Sequence, residues 1–176
     1  MLIHRFERWK HPVHTNKVFV AKFFPHDNNL LYTGSWDRSV KFWDIRADEL
    51  IHTVGLTQIC GDSVEMSRNG KYVVTGGGTM GEGIRMWDMR SLNKPVLQLN
   101  WESTKDYVNP TINVAKFAPI SGNVQGCNDH DYIIAGARDE GSNLPVKCFS
   151  TETGEIVYNF KYVQTSCLTL DISQDG

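Results

Sequence analysis

Apolar positions in this chain fall in short runs rather than at helical spacing. "KVFVAKFF", "LLYTGS", "SVKFWDI", "KYVVTGG", "GIRMWDM", "INVAKFAP", "DYIIAGA", "PVKCFS" and "EIVYNFKYV" are rich in β-branched and aromatic residues, and each is bounded by Gly, Asn, Asp or Pro. Turn-formers at such short intervals leave little room for an amphipathic helix. The pattern predicts an all-β chain of many strands, each about four to seven residues long.

The runs also recur in order. "NVAKFAP" at 113–119 echoes "FVAKFFP" at 19–25, and "SVEMSRNGKYVVTGG" holds the place of "VAKFFPHDNNLLYTGS" between them. "SVKFWDIR" at 39–46 returns as "GIRMWDMR" at 83–90, and more faintly as "PVKCFSTE" at 145–152. Trp43 and Trp87 are 44 residues apart, within the roughly 40–45 of a four-stranded propeller-blade repeat. Phe149 follows Trp87 by 62 residues, so the third unit carries insertions, "NWESTKDYVNP" before its first strand and "ISGNVQGCNDHD" after it.

The first unit reads H-x(18)-T-G-S-x-D-x-S-V-K-F-W-D from His14 to Asp44. This resembles the WD-repeat β-propeller family; the match is complete in the first unit, partial in the second and faint in the third. The resemblance implies an all-β propeller of four-stranded antiparallel blades, incomplete as the sequence stands. Residues 1–10 are expected to be the last strand of a preceding blade. Blades are expected at 14–54, 57–100 and 107–162, and 165–176 as the first strand of a further one. Closed propellers have about 4–8 blades, so the rest is expected from a longer chain or from a second chain. An open arc otherwise exposes apolar faces and strand edges, an aggregation hazard.

In blades of this family a histidine, a Ser/Thr, a turn aspartate and the third-strand tryptophan are linked by hydrogen bonds. By position these are His14, Thr33, Asp37 and Trp43. The residue types suit such a chain of bonds, because an indole offers one N–H, a hydroxyl can accept and donate, and an imidazole presents a nitrogen to each neighbour. On paper His14, Asp37 and Thr33 also resemble a hydrolase triad. No G-x-S-x-G elbow accompanies them, and the threonine hydroxyl is expected to serve Trp43. The set reads as a structural lock, and the chain as no enzyme. The second unit keeps Thr75 and Trp87 but lacks the histidine and the turn aspartate; the third keeps Asp139, with Ala135 and Phe149 replacing threonine and tryptophan.

Composition narrows the partners. The net charge is −2, which gives no basic signature for nucleic acid. No stretch approaches the ~18 apolar residues of a membrane helix, and "MLIHRFERWK" has no signal-peptide pattern. Four scattered cysteines without a C-x-x-C pair argue against zinc and against a disulfide scaffold. "TGGGTMGEG" lacks the Lys-Ser/Thr of a phosphate loop and joins two strands. The reading is a cytoplasmic protein, with nuclear or cytoskeletal and ciliary sites open, that has no cofactor and whose partners are other proteins.

In the family, binding uses the two rims. On one rim the candidates are Trp36, Arg38, Met80 and Arg138 from turns between second and third strands, with Trp101 and Tyr107 from connections between blades. Trp, Tyr and Arg dominate interface hot spots. The opposite rim carries Arg46 of "WDIR" and Arg90 of "WDMR". These resemble the W-D-x-R box of substrate receptors for cullin-4 ubiquitin ligases, where the arginine contacts the ligase's propeller adaptor; pairing with Asp44 or Asp88 in the same turn is the local alternative. The expected function is a protein-interaction scaffold or adaptor. The alternatives are a ligase substrate receptor and a structural subunit of a cytoskeletal or ciliary assembly.

Overall fold

The computed structural model describes residues 12–55, 58–79, 82–101, 110–118, 131–138, 146–160 and 166–172. Its strands form three four-stranded antiparallel sheets, each built from strands consecutive in the chain. The first blade comprises β1 (Val18–Phe24), β2 (Asp27–Ser35), β3 (Ser39–Asp44) and β4 (Glu49–Gly55). The second comprises β5 (Val64–Met66), β6 (Tyr72–Gly76), β7 (Ile84–Asp88) and β8 (Leu97–Leu99). The third comprises β9 (Thr111–Ala118), β10 (Tyr132–Arg138), β11 (Val146–Ser150) and β12 (Ile156–Asn159). The described residues contain no helix, hence none long and apolar enough to cross a membrane.

Period-two alternation places the core between blades rather than inside a sheet. Val20, Tyr32, Val40, Phe42 and Val54 turn one face of the first blade onto Ile59, Val64, Met66, Val73 and Trp87. Val74, Ile84, Met86 and Leu99 turn the far face of the second onto Ile112, Ala115, Phe117, Ile133 and Phe149. Each sheet is thus stabilised by its neighbour, since a lone sheet of this size cannot bury its apolar face.

One contact recurs three times and explains the small residues after the threonine position. A Cβ on Gly34 would lie 2.9 Å from Ile59; on Gly76 it would collide with Ile112, and on Gly136 with the Cys167 thiol. In step with this, the amide of Ile59 donates to Ser35 O, that of Ile112 to Gly77 O and that of Cys167 to Ala137 O. The absence of a side chain lets the lead-in of the following blade press against the sheet backbone. Residues 166–172 make the same approach to the third blade, and they are not strand. A first strand is laddered only by the second strand of its own blade, and among the described residues none stands beside it.

Charges on and beside the innermost strands link the blades. Lys22 of β1 pairs with Asp62 at 2.5 Å, Asp62 reaches Lys116 of β9 at 3.3 Å, and Lys116 reaches Asp171 at 3.5 Å. Glu65 of β5 accepts the amide of Phe117 at 2.7 Å. The strand expected at residues 1–10 and the insertions at 102–109 and 119–130 lie outside the described residues.

Candidate functional site

The first blade brings His14, Thr33, Asp37 and Trp43 together. The Trp43 indole N–H donates to Thr33 Oγ1 at 2.8 Å. The His14 ring reaches Thr33 Oγ1 through Nε2 and Asp37 Oδ2 through Nδ1, both at 2.7 Å. Two further partners secure the aspartate: the Ser39 hydroxyl donates to Oδ1 at 2.6 Å and the Thr15 amide to Oδ2 at 3.0 Å. The D-x-S spacing of Asp37 and Ser39 was the signal for the first of these. The second blade retains one link, Trp87 Nε1 to Thr75 Oγ1 at 3.0 Å. With its hydroxyl bridging an indole and an imidazole, Thr33 acts as a joint in a buried network.

Burial disfavours the imidazolium and lowers the His14 pKa below 6.5, outweighing the opposing pull of Asp37. Burial alone would raise Asp37, but hydrogen bonds from Ser39, His14 and the Thr15 amide hold it below 3.8. Both shifts act in one direction. The unfolded chain binds the His14 proton more readily, so this contribution is complete above pH 6.5 and declines as pH falls through the lower folded value. The Asp37 contribution is complete above 3.8 and declines as its own folded pKa is crossed. Thermal unfolding followed from about pH 8 to about pH 5 should show Tm falling in the wild type, with a shallower fall in His14→Gln. Parallel curves for the two proteins would refute the linkage.

On the rim formed by the second-to-third strand turns, Trp36 is half-buried. Its indole donates to Cys60 Sγ at 2.9 Å, its ring lies 5.1 Å from Phe19, and Lys17 Nζ sits 4.9 Å above it. It spans the junction with the second blade, so part of its surface is already committed within the chain. Arg38 is exposed at φ 67°, a left-handed conformation that costs a non-glycine residue about 1–2 kcal/mol. Its guanidinium reaches Glu82 of the next blade at 3.4 Å. Arg138 closes β10 and is exposed. Met80 and Tyr107 lie outside the described residues.

Trp101 is a correction. Expected on the rim, it is 1% exposed and packs in the core between the second and third blades. Its ring lies 5.9 Å from Phe149, and Lys147, itself buried, sits 5.0 Å over the ring and donates to its carbonyl at 2.8 Å. Burying a large aromatic ring is favourable enough to draw it out of an otherwise polar connection. Trp101 is a packing residue.

The opposite rim separates the two arginine boxes. Asp44 caps its turn through the amides of Arg46 and Ala47 at 2.9 and 3.0 Å, while the Arg46 guanidinium stands 3.6 Å away. Arg90 instead grips Asp88 with Nε at 3.1 Å and Nη2 at 2.6 Å. This bidentate contact, aided by the Arg90 amide, pushes the Asp88 pKa down to about 2. Both arginines remain largely exposed. Among the described residues no group of three or more His, Cys, Asp or Glu could hold a metal ion.

Comparison with known proteins bears on the first blade. Residues 7–44 match the family described as WD domain, G-beta repeat. Protein tipD of Dictyostelium discoideum is 31% identical over 75 residues, covering 43% of this chain and 12% of that protein. The Denticleless protein homolog of Homo sapiens is 37% identical over 89 residues, covering 51% of this chain and 12% of that protein. The peroxisomal targeting signal 2 receptor of Saccharomyces cerevisiae is 36% identical over 86 residues, covering 45% and 22% respectively. The matched stretch thus spans 12% of each of the first two relatives.

Proposed function

We propose that this chain, which carries a WD domain, G-beta repeat and folds into propeller blades, is a non-enzymatic scaffold that binds other proteins through its rim loops. The observation that carries the reading is the division of labour around β2 and β3. Thr33 of β2 is hydrogen-bonded to Trp43 of β3 and to His14, while Arg38 at one end and Arg46 at the other project from turns into solvent. Arginine is suited to such a position because its planar fork matches carboxylates and carbonyl groups. One relative is by name a receptor for a targeting signal, in keeping with recognition of a protein segment.

A second reading is favoured by the pair of W-D-x-R turns: a substrate receptor of a cullin-4 ubiquitin ligase. A structural role in a cytoskeletal or ciliary assembly is the third. Co-purification from cells separates them. If the receptor reading holds, the ligase's propeller adaptor accompanies the wild-type protein and is lost from the Arg46→Ala, Arg90→Ala double variant. An adaptor that never accompanies the wild type removes the receptor reading. If neither these substitutions nor Trp36→Ala, Arg38→Ala changes the set of bound proteins, the rim-binding scaffold is wrong.

A further inference from the structure

Between the outer ends of the first two blades lies a half-open groove of about 370 Å³ that no feature of the lock uses. Phe24 and Phe42 of the first blade and Met89 and Leu92 of the second form its apolar wall, and His52 and Arg90 are its basic residues. Among the described residues, no acidic one lines it. The volume is at the small end of the ~300–1,000 Å³ of ligand pockets. Ile51, 52% exposed, extends the apolar surface at its edge.

Arg90 gives this groove a direction. Nε and Nη2 are both engaged by Asp88, so the guanidinium plane is held without help from a partner. Its Nη1 edge is turned away from Asp88 and keeps donors for an incoming acceptor. A preset guanidinium loses less side-chain entropy on binding than a free one. Arg46, equal in sequence, has neither feature: its guanidinium stands 3.6 Å from Asp44, and it does not line the groove.

We propose that this inter-blade groove docks a peptide segment of a partner protein, one that presents a bulky apolar side chain next to a carboxylate. The apolar side chain fills the space between Phe42 and Leu92, and the carboxylate meets the outer edge of Arg90. The inference rests on the reading of the chain as a protein-binding scaffold and names the chemistry of one of its partners.

The test is selection of a random peptide display library on the immobilised full-length protein, followed by titration of enriched peptides. Enriched sequences should pair Leu, Met or Phe with an adjacent Asp or Glu. They should bind Arg90→Ala and Leu92→Glu at least about tenfold more weakly than wild type, bind Arg46→Ala unchanged, and bind Arg90→Lys at an intermediate level. Arg90 is exposed, so its substitutions should leave the fold intact, which circular dichroism checks. Enriched peptides that bind both groove variants like wild type overturn the groove and leave the scaffold reading standing. Enrichment of basic peptides, or of none, also overturns the groove. The co-purification experiment decides the scaffold separately.

Discussion

Trp43→Ala is expected to remove about 3–5 kcal/mol of stability, the range for truncating a buried tryptophan, and to do so by two routes. The side chain is 3% exposed, so its loss opens a large void in the face of the first blade. It also withdraws the indole N–H from Thr33 Oγ1 at 2.8 Å and the edge contact with the His14 ring at 6.3 Å. Thr33 then retains His14 alone, and a part-satisfied network is worth less than the sum of its links. Trp43→Phe separates the routes. It keeps most of the ring volume and deletes the donor, so its expected cost is about 1–2 kcal/mol. Trp87→Ala supplies the comparison, because Trp87 is as well buried and bonds Thr75 at 3.0 Å without a histidine or aspartate beyond it. Urea denaturation of the three variants measures these differences. A loss below about 1 kcal/mol for Trp43→Ala would show that the network does not anchor the blade.

The residues of the lock were legible from the resemblance to the family's repeat, and the part of it carried by β2 and β3 is short-range, whereas His14 joins from 19 residues before Thr33. Thr33 pairs with Lys41 and Leu31 with Trp43 across a single tight turn, so the types and spacing repeat wherever that turn repeats. The middle strands were legible for a similar reason: β3 and β6 are buried almost throughout and stand out as apolar runs. The outer strands were harder. β4 is mostly exposed and β8 has only three residues, so neither stands out among the apolar runs; their pairing comes from the neighbouring strand rather than from their own composition. The two arginine boxes show a finer limit. "WDIR" and "WDMR" differ in one apolar residue, yet the first turn continues to Asp48 at φ 55°, whereas in the second Ser91 bridges back to Asp88. That local difference accompanies the change from a single ion pair at 3.6 Å to a bidentate clamp. The groove beside Arg90 was invisible in the sequence because its two walls come from different blades.

Trp101→Ala should behave as a stability variant, with a loss of about 3–5 kcal/mol and no intrinsic effect on partner binding. The rim expectation for this residue failed for a physical reason. "LNWEST" looks like a polar connection, and the burial of its tryptophan depends on Phe149 and Lys147, far along the chain. Lys147 raises the expected cost. Lys147 is 2% exposed, and its ammonium lies over the indole at 5.0 Å, a contact that contributes about 2 kcal/mol when desolvated. Removing the ring leaves that charge against a void while its bond to the Trp101 carbonyl persists at the backbone. Trp101→Phe keeps an aromatic face and should recover a large part of the loss, and Lys147→Met, which removes the charge together with its need for a partner, should be tolerated better than Trp101→Ala. Denaturation midpoints give the order of the three variants. Partner binding measured at a temperature where Trp101→Ala is still folded gives the second half of the prediction: affinity equal to wild type. A variant with an unchanged midpoint and a weakened partner would return Trp101 to the rim.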